Sequence, residues 1–192
     1  MSTLGGLPAH ALLVHAVVVL VPLTAVLLVL VALWPAARER LNVLTAALAA
    51  LALISVPLTT SAGEWLELHV PRTPLVHAHT HLGDTMLPWA IGLLVLAGAI
   101  ALREHLRSRA KNPVPGDGPG TASTATAAST GHSDGVGGRA VTLTLAALAV
   151  VVAVGSIITV YRIGDSGARA AWTGHFAEQA NPPRHAPPAT HG

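Results

Sequence analysis

The sequence predicts an all-α membrane protein, four transmembrane helices in an up-and-down bundle, and three observations carry that expectation. The 192 residues are 52% hydrophobic and only 10% charged, well below the roughly 25% charged residues of a water-soluble domain. The apolar residues are gathered into four long blocks, with the charges between them. Each block is close to the ~20 residues that a helix needs to cross hydrocarbon.

The blocks run from Leu12 to Trp34, Leu41 to Ala62, Leu82 to Leu102 and Val141 to Tyr161, and none has Lys or Arg in its interior. Backbone exposed to lipid must satisfy its own hydrogen bonds, so unbroken Leu/Val/Ala runs of this length are expected as helices. The first block lacks a basic n-region and exceeds a typical signal-peptide core, so it is read as a retained helix. Pro22, Pro57 and Pro88 lie inside blocks. Each frees the carbonyl four residues earlier, Asp84 in the case of Pro88, and membrane helices tolerate this when hydroxyls or neighbours compensate. Gly92, Gly98, Gly155 and Thr159 are small enough for helices to approach closely. Trp34, Trp65 and Trp172 fall near block ends, as interfacial belt residues do.

Residues 1–103 are thus expected to hold three helices, 104–139 a disordered cytoplasmic linker, 140–168 the fourth helix and 169–192 a flexible tail. The linker is Pro/Gly/Ser/Thr-rich beyond its basic start, a composition that buries too little to fold. Arg38, Arg40, Arg103, Arg107, Arg109, Lys111 and Arg139 fall on one side, against Arg72, Arg162, Arg169 and Arg184 on the other. The excess of positive charge places the first side in the cytoplasm and both termini outside the cell membrane.

The chain has no Cys, which excludes disulfides, thiolate nucleophiles and iron–sulfur ligation. No aromatic-interleaved basic patch suggests nucleic acid. No nucleophile–base spacing or phosphate-cradling loop suggests a hydrolase, so an enzyme is not expected. The chemistry lies in eleven His. In an up-and-down bundle one face collects His10, His15, Glu64, Glu67, His69, His77, His79, His81, Asp84, Asp165 and His175, while the other is mainly Arg. Ionisable residues in or beside membrane segments are functional candidates by default.

His10 and His15 are five residues apart, about 140° around a helix, so a regular helix cannot aim both at one ligand. Thr73-Pro74 resembles an N-cap followed by Pro at the first helical position, predicting a helix that starts before the third block. On it His77, His81 and Asp84 share a face and His79 points away. Two His at i, i+4 with a carboxylate suit a divalent metal. The candidate metal ligands are therefore His10, His15, Glu64, His77, His79, His81 and Asp84. A b-type haem would use two imidazoles on facing helices, His15 with His79 or His81. His132, His185 and His191 lie in loose segments and receive no role.

Four motifs resemble a bacterial membrane family, domain of unknown function 2231: Gly6-Leu-Pro-Ala-His10-Ala-Leu-Leu-Val-His15, Ala62-Gly-Glu64-Trp-Leu, His79-Thr-His-Leu-Gly-Asp84, and Tyr161-Arg-Ile-Gly-Asp165-Ser-Gly-Ala-Arg-Ala-Ala-Trp172. They touch all four blocks and skip the linker. Relatives usually carry Pro where this chain has Ala11, and some carry His where it has Asp165. The resemblance favours His79 over His77 and His81, the reverse of what helix geometry favours. Some members are joined to Rieske-type domains, which implies a redox setting. Three functions follow as expectations. The first is a binding or assembly module in the lipid bilayer, beside a redox or other membrane protein partner. The second is a haem b- or metal-binding redox protein. The third is a proton or ion conductor through His15, Glu64 and Asp84.

Overall fold

Helix α1 spans Ala9–Leu33, α2 Pro35–Glu67, α3 Pro74–Asp84, α4 Met86–Lys111 and α5 Val136–Trp172. A two-residue antiparallel pairing of Thr3–Leu4 (β1) with Leu7–Pro8 (β2) precedes α1. The computed structural model describes residues 3–4, 7–68, 73–111 and 136–172, with side chains described over 13–68, 73–109 and 138–172. Four stretches are long and apolar enough to cross a membrane: Leu13–Leu33, Pro35–Glu67, Pro74–Arg109 and Gly138–Trp172. The last three contain the second to fourth apolar blocks, and the first covers the first block except its end residues Leu12 and Trp34.

Helix ends run past the blocks. Only Trp34 separates α1 from α2; its extended backbone (φ −114°, ψ 112°) reverses the chain, and Pro35 opens α2, where its fixed φ fits and its missing N–H costs nothing. Arg38-Glu-Arg40, which lies between the first two apolar blocks, is therefore helical. Likewise α4 continues to Lys111 and α5 begins at Val136, so both ends of the expected linker are helix, and 112–135 lie outside the described residues. The reason is that block length measures the apolar crossing, whereas polar helix formers such as Arg and Glu extend a helix beyond it. Residues 173–192, most of the expected tail, also lie outside.

The expected N-cap is present: the Thr73 side chain accepts the Val76 N–H at 3.3 Å and Pro74 leads α3. The chain is interrupted at Thr85, three residues before Pro88. There the Thr85 N–H (3.1 Å) and hydroxyl (2.6 Å) both donate to the Leu82 carbonyl, a tighter i→i−3 turn that ends α3 just before Met86 opens α4.

Each long helix packs on its neighbours in chain order: α1 on α2, α2 on α4, α4 on α5, and α5 back on α1. The buried side chains are small. Half of the buried apolar residues are alanine, among them Ala25, Ala49, Ala52, Ala90, Ala149 and Ala153, around Val21, Leu28 and Leu93. Val19, Val26, Val43, Ile54, Val95, Leu143 and Val151 are more than half exposed. Small residues inside and large apolar residues outside reverse the pattern of a water-soluble protein. Small residues are what lets helices approach closely. At Gly155 a Cβ would stand 2.1 Å from Trp89 Cη2, so the indole of α4 rests directly on the α5 backbone. Buried hydroxyls bond within their own helices, Thr45 to the Leu41 carbonyl and Ser55 to that of Leu51, both at 2.8 Å. Thr24, fully buried on α1, has no hydrogen-bond partner for its hydroxyl among the described residues.

Candidate functional site

The short helix α3 leans on α5 and touches the end of α2, and His79 is its anchor. The Nδ1 of His79 lies 2.9 Å from Ser166 Oγ on α5. Ser166 has a single hydroxyl hydrogen and donates it to the Ile163 carbonyl at 2.8 Å. With that hydrogen on the carbonyl, the hydroxyl oxygen accepts from a His79 Nδ1–H. Gly167 completes the seat. A Cβ there would come within 3.0 Å of His79 Cε1 and 3.3 Å of Nδ1, so glycine lets the imidazole lie against the helix.

His77, His81 and Asp84 share one face of α3, as the periodicity predicts, and that face is exposed. His77 reaches back to Glu67 at the end of α2, Nδ1 to Oε1 3.7 Å, with the imidazole 81% exposed. A pair so open to solvent adds little stability. His15 and Glu64 are also exposed. Asp165 is paired within α5 to Arg169 at 3.0 Å. The side chain of His10 and the whole of His69 and His175 lie outside the described residues.

The seven candidate metal ligands are not drawn into one site by the described residues, where no group of three or more His, Asp or Glu could hold a metal ion. What comes together instead is His79 with Ser166 and Gly167. In the sequence, Ser166 and Gly167 stand only inside a quoted motif, where Asp165 alone counts among the ionisable residues of the polar face. The available signal was the pairing of a hydroxyl with the smallest residue one position later. No family model, no curated protein and no solved structure matches this chain.

Proposed function

We propose that this chain is a multi-pass protein of the cell membrane whose four long helices cross the bilayer as an up-and-down bundle, both termini extracytoplasmic. Its work is that of a binding or assembly module, docking a redox or other membrane protein at the end that carries α3. One observation carries this reading. Helix α3 is fixed to the bundle by His79, while His77, His81 and Asp84 face outward together. Fixed polar groups aimed away from the core suit recognition of a partner better than enclosure of a cofactor. The alanine-rich interior and large apolar exterior support the membrane setting. We also propose membership of the domain of unknown function 2231 family. Supporting it, His79, Ser166 and Gly167 meet across two of the motifs that carry the resemblance.

A second reading is favoured by the same hydrogen bond. Metal-ligating histidines are held through one ring nitrogen while the other binds, and Ser166 holds the His79 ring by its Nδ1, which suits a ligand to a haem b or a divalent metal. The two readings separate in purified protein. The full chain in mild detergent is examined by visible absorption, oxidised and dithionite-reduced, with metal analysis on the same sample. The docking reading expects neither a haem band nor stoichiometric metal in folded protein. A reduced b-type band, or bound zinc or copper, lost in His79→Ala would replace it with the cofactor reading.

A further inference from the structure

The end of the bundle away from α3 carries two kinds of arginine. Ala32, Arg38, Ile100, Arg103, Thr142 and Leu145 come together there, which sets the α1–α2 turn, the last turns of α4 and the start of α5 at one level. Arg38 and Arg103 are engaged inside the protein. Arg38 donates Nε to the Val31 carbonyl at 2.9 Å and Nη2 to that of Ala32 at 2.6 Å, closing the end of α1. Arg103 donates to Thr142 Oγ1 at 2.8 Å and to the Gly138 carbonyl at 3.0 Å. Arg40 on α2, Arg109 on α4 and Arg139 on α5 are exposed instead, and among the described residues none of the three forms an ion pair. Counted from the shared level at about 1.5 Å per residue, they lie within about 12 Å of one another along the bundle. Long arginine side chains close such a spread by snorkelling to one layer.

The surface beneath each exposed arginine repeats. One turn toward the middle of the span stands a large exposed apolar side chain: Val43 (72%) beneath Arg40, Leu106 (56%) beneath Arg109 and Leu143 (69%) beneath Arg139. Residues three or four apart on a helix are surface neighbours, so each pair offers a charge above an apolar patch. Trp34, 60% exposed at the turn, marks the interfacial level. Among the described residues the carboxylates of this end are Glu39 and Glu104, outnumbered by the arginines. The end that carries α3 is charged the other way: Glu64, Glu67, Asp84 and Asp165 outnumber Arg162 and Arg169 there, and Arg169 is paired to Asp165 at 3.0 Å.

We infer that this end of the bundle collects anionic lipid from the inner leaflet, with headgroup phosphates at Arg40, Arg109 and Arg139 and acyl chains along Val43, Leu106 and Leu143. The inference rests on the membrane reading above. The surface itself names the occupant. A guanidinium is a planar fork suited to phosphate oxygens, and clustered arginines beside a membrane span attract anionic headgroups. The apolar side chain one turn below each arginine suits hydrocarbon, and an anionic lipid presents both parts in that order. A free anion would leave the apolar half uncovered, and a zwitterionic lipid brings a cation of its own to the arginines.

The test mixes full-length protein in mild detergent with equimolar phosphatidylglycerol and phosphatidylcholine of identical chains, and reads the retained lipid by native mass spectrometry. Each arginine that meets a headgroup should contribute a preference of about fivefold for phosphatidylglycerol. Arg40→Gln, Arg109→Gln and Arg139→Gln should each lower that preference and together abolish it, with helicity checked by circular dichroism. Arg162→Gln, an exposed arginine of the other end, should leave it unchanged. A second measurement needs no variant. In reconstituted wild-type protein, tryptophan quenching by chain-brominated phosphatidylglycerol should exceed that by the phosphatidylcholine analogue at low salt. The two should converge at high salt, as screening shortens its range from about 10 Å at 0.1 M to about 3 Å at 1 M. Equal retention of the two lipids by the wild type, or a preference that survives the triple variant or falls equally in Arg162→Gln, overturns the inference. Protein that stays soluble without detergent would fail the membrane reading instead. Flotation with phosphatidylglycerol vesicles and not with phosphatidylcholine vesicles, lost in the triple variant, would then uphold the surface, and its absence would overturn it.

Discussion

Replacing Gly155 by alanine puts a methyl where the Trp89 indole already lies. The added Cβ would stand 2.1 Å from Cη2, 2.2 Å from Cζ3 and 2.8 Å from Cε3. Carbon atoms settle near 3.5–4.0 Å, so the ring must retreat by roughly 1.5 Å or the helices must part. Trp89 is packed against the buried core of the bundle, which limits its escape. Overpacking of this kind costs about 1–3 kcal/mol, partly offset by the gain of up to ~1 kcal/mol from alanine over glycine inside a helix. We expect Gly155→Ala to destabilise by about 1–2 kcal/mol on balance. Gly98→Ala is the matched control, because a Cβ there meets nothing within 4 Å; it should be neutral or slightly stabilising. Reversible unfolding in mixed micelles titrated with dodecyl sulfate, followed by far-ultraviolet circular dichroism, measures both. Trimming the ring should rescue: in a Trp89→Leu background the Gly155→Ala penalty should largely vanish, a coupling above about 0.5 kcal/mol. Equal penalties at the two glycines, or no coupling to Trp89, would refute the packing argument.

Two further substitutions probe polar groups. Ser166→Ala removes the acceptor for the His79 Nδ1–H and should lower stability by about 1 kcal/mol; Ser166→Thr, which keeps the hydroxyl, should lose less in the same titration. Thr24→Val replaces a buried hydroxyl that has no partner among the described residues and should be neutral or stabilising by about 1 kcal/mol. A clear loss for Thr24→Val would mean that the hydroxyl is engaged after all.

The four spans and the start of α3 were legible because they depend on local chemistry: apolar run length, and a Thr-Pro pair at a helix start. Turns and site pairing were less so. The reversal at Trp34 hides in the sequence because an apolar block ends there and a basic stretch follows, which reads as a loop although Pro35 opens a helix. Periodicity correctly put His77, His81 and Asp84 on one face of α3, but periodicity says which residues share a face, not which face is covered. That was decided by Ser166 and Gly167, 87 and 88 positions away from His79. Within the spans apolar residues lie on every side, so the pattern gives little hint of which side meets a neighbour. Residue size is the better guide, since half of the buried apolar residues are alanine while the large apolar side chains are more often exposed than buried.

The central claim is that the bundle gathers α3 and the end of α5 on one side of a membrane, with the start of α2 on the other. The chain has no Cys, so single cysteines report cleanly. Ala78→Cys on α3, Ala171→Cys on α5 and Ala36→Cys on α2 all sit at exposed positions. Each is treated with a membrane-impermeant maleimide in intact cells and again after permeabilisation. The account predicts that Ala78→Cys and Ala171→Cys label in intact cells, whereas Ala36→Cys labels only once the membrane is opened. Labelling of Ala78→Cys and Ala171→Cys from opposite sides, or of all three from the same side, would contradict it.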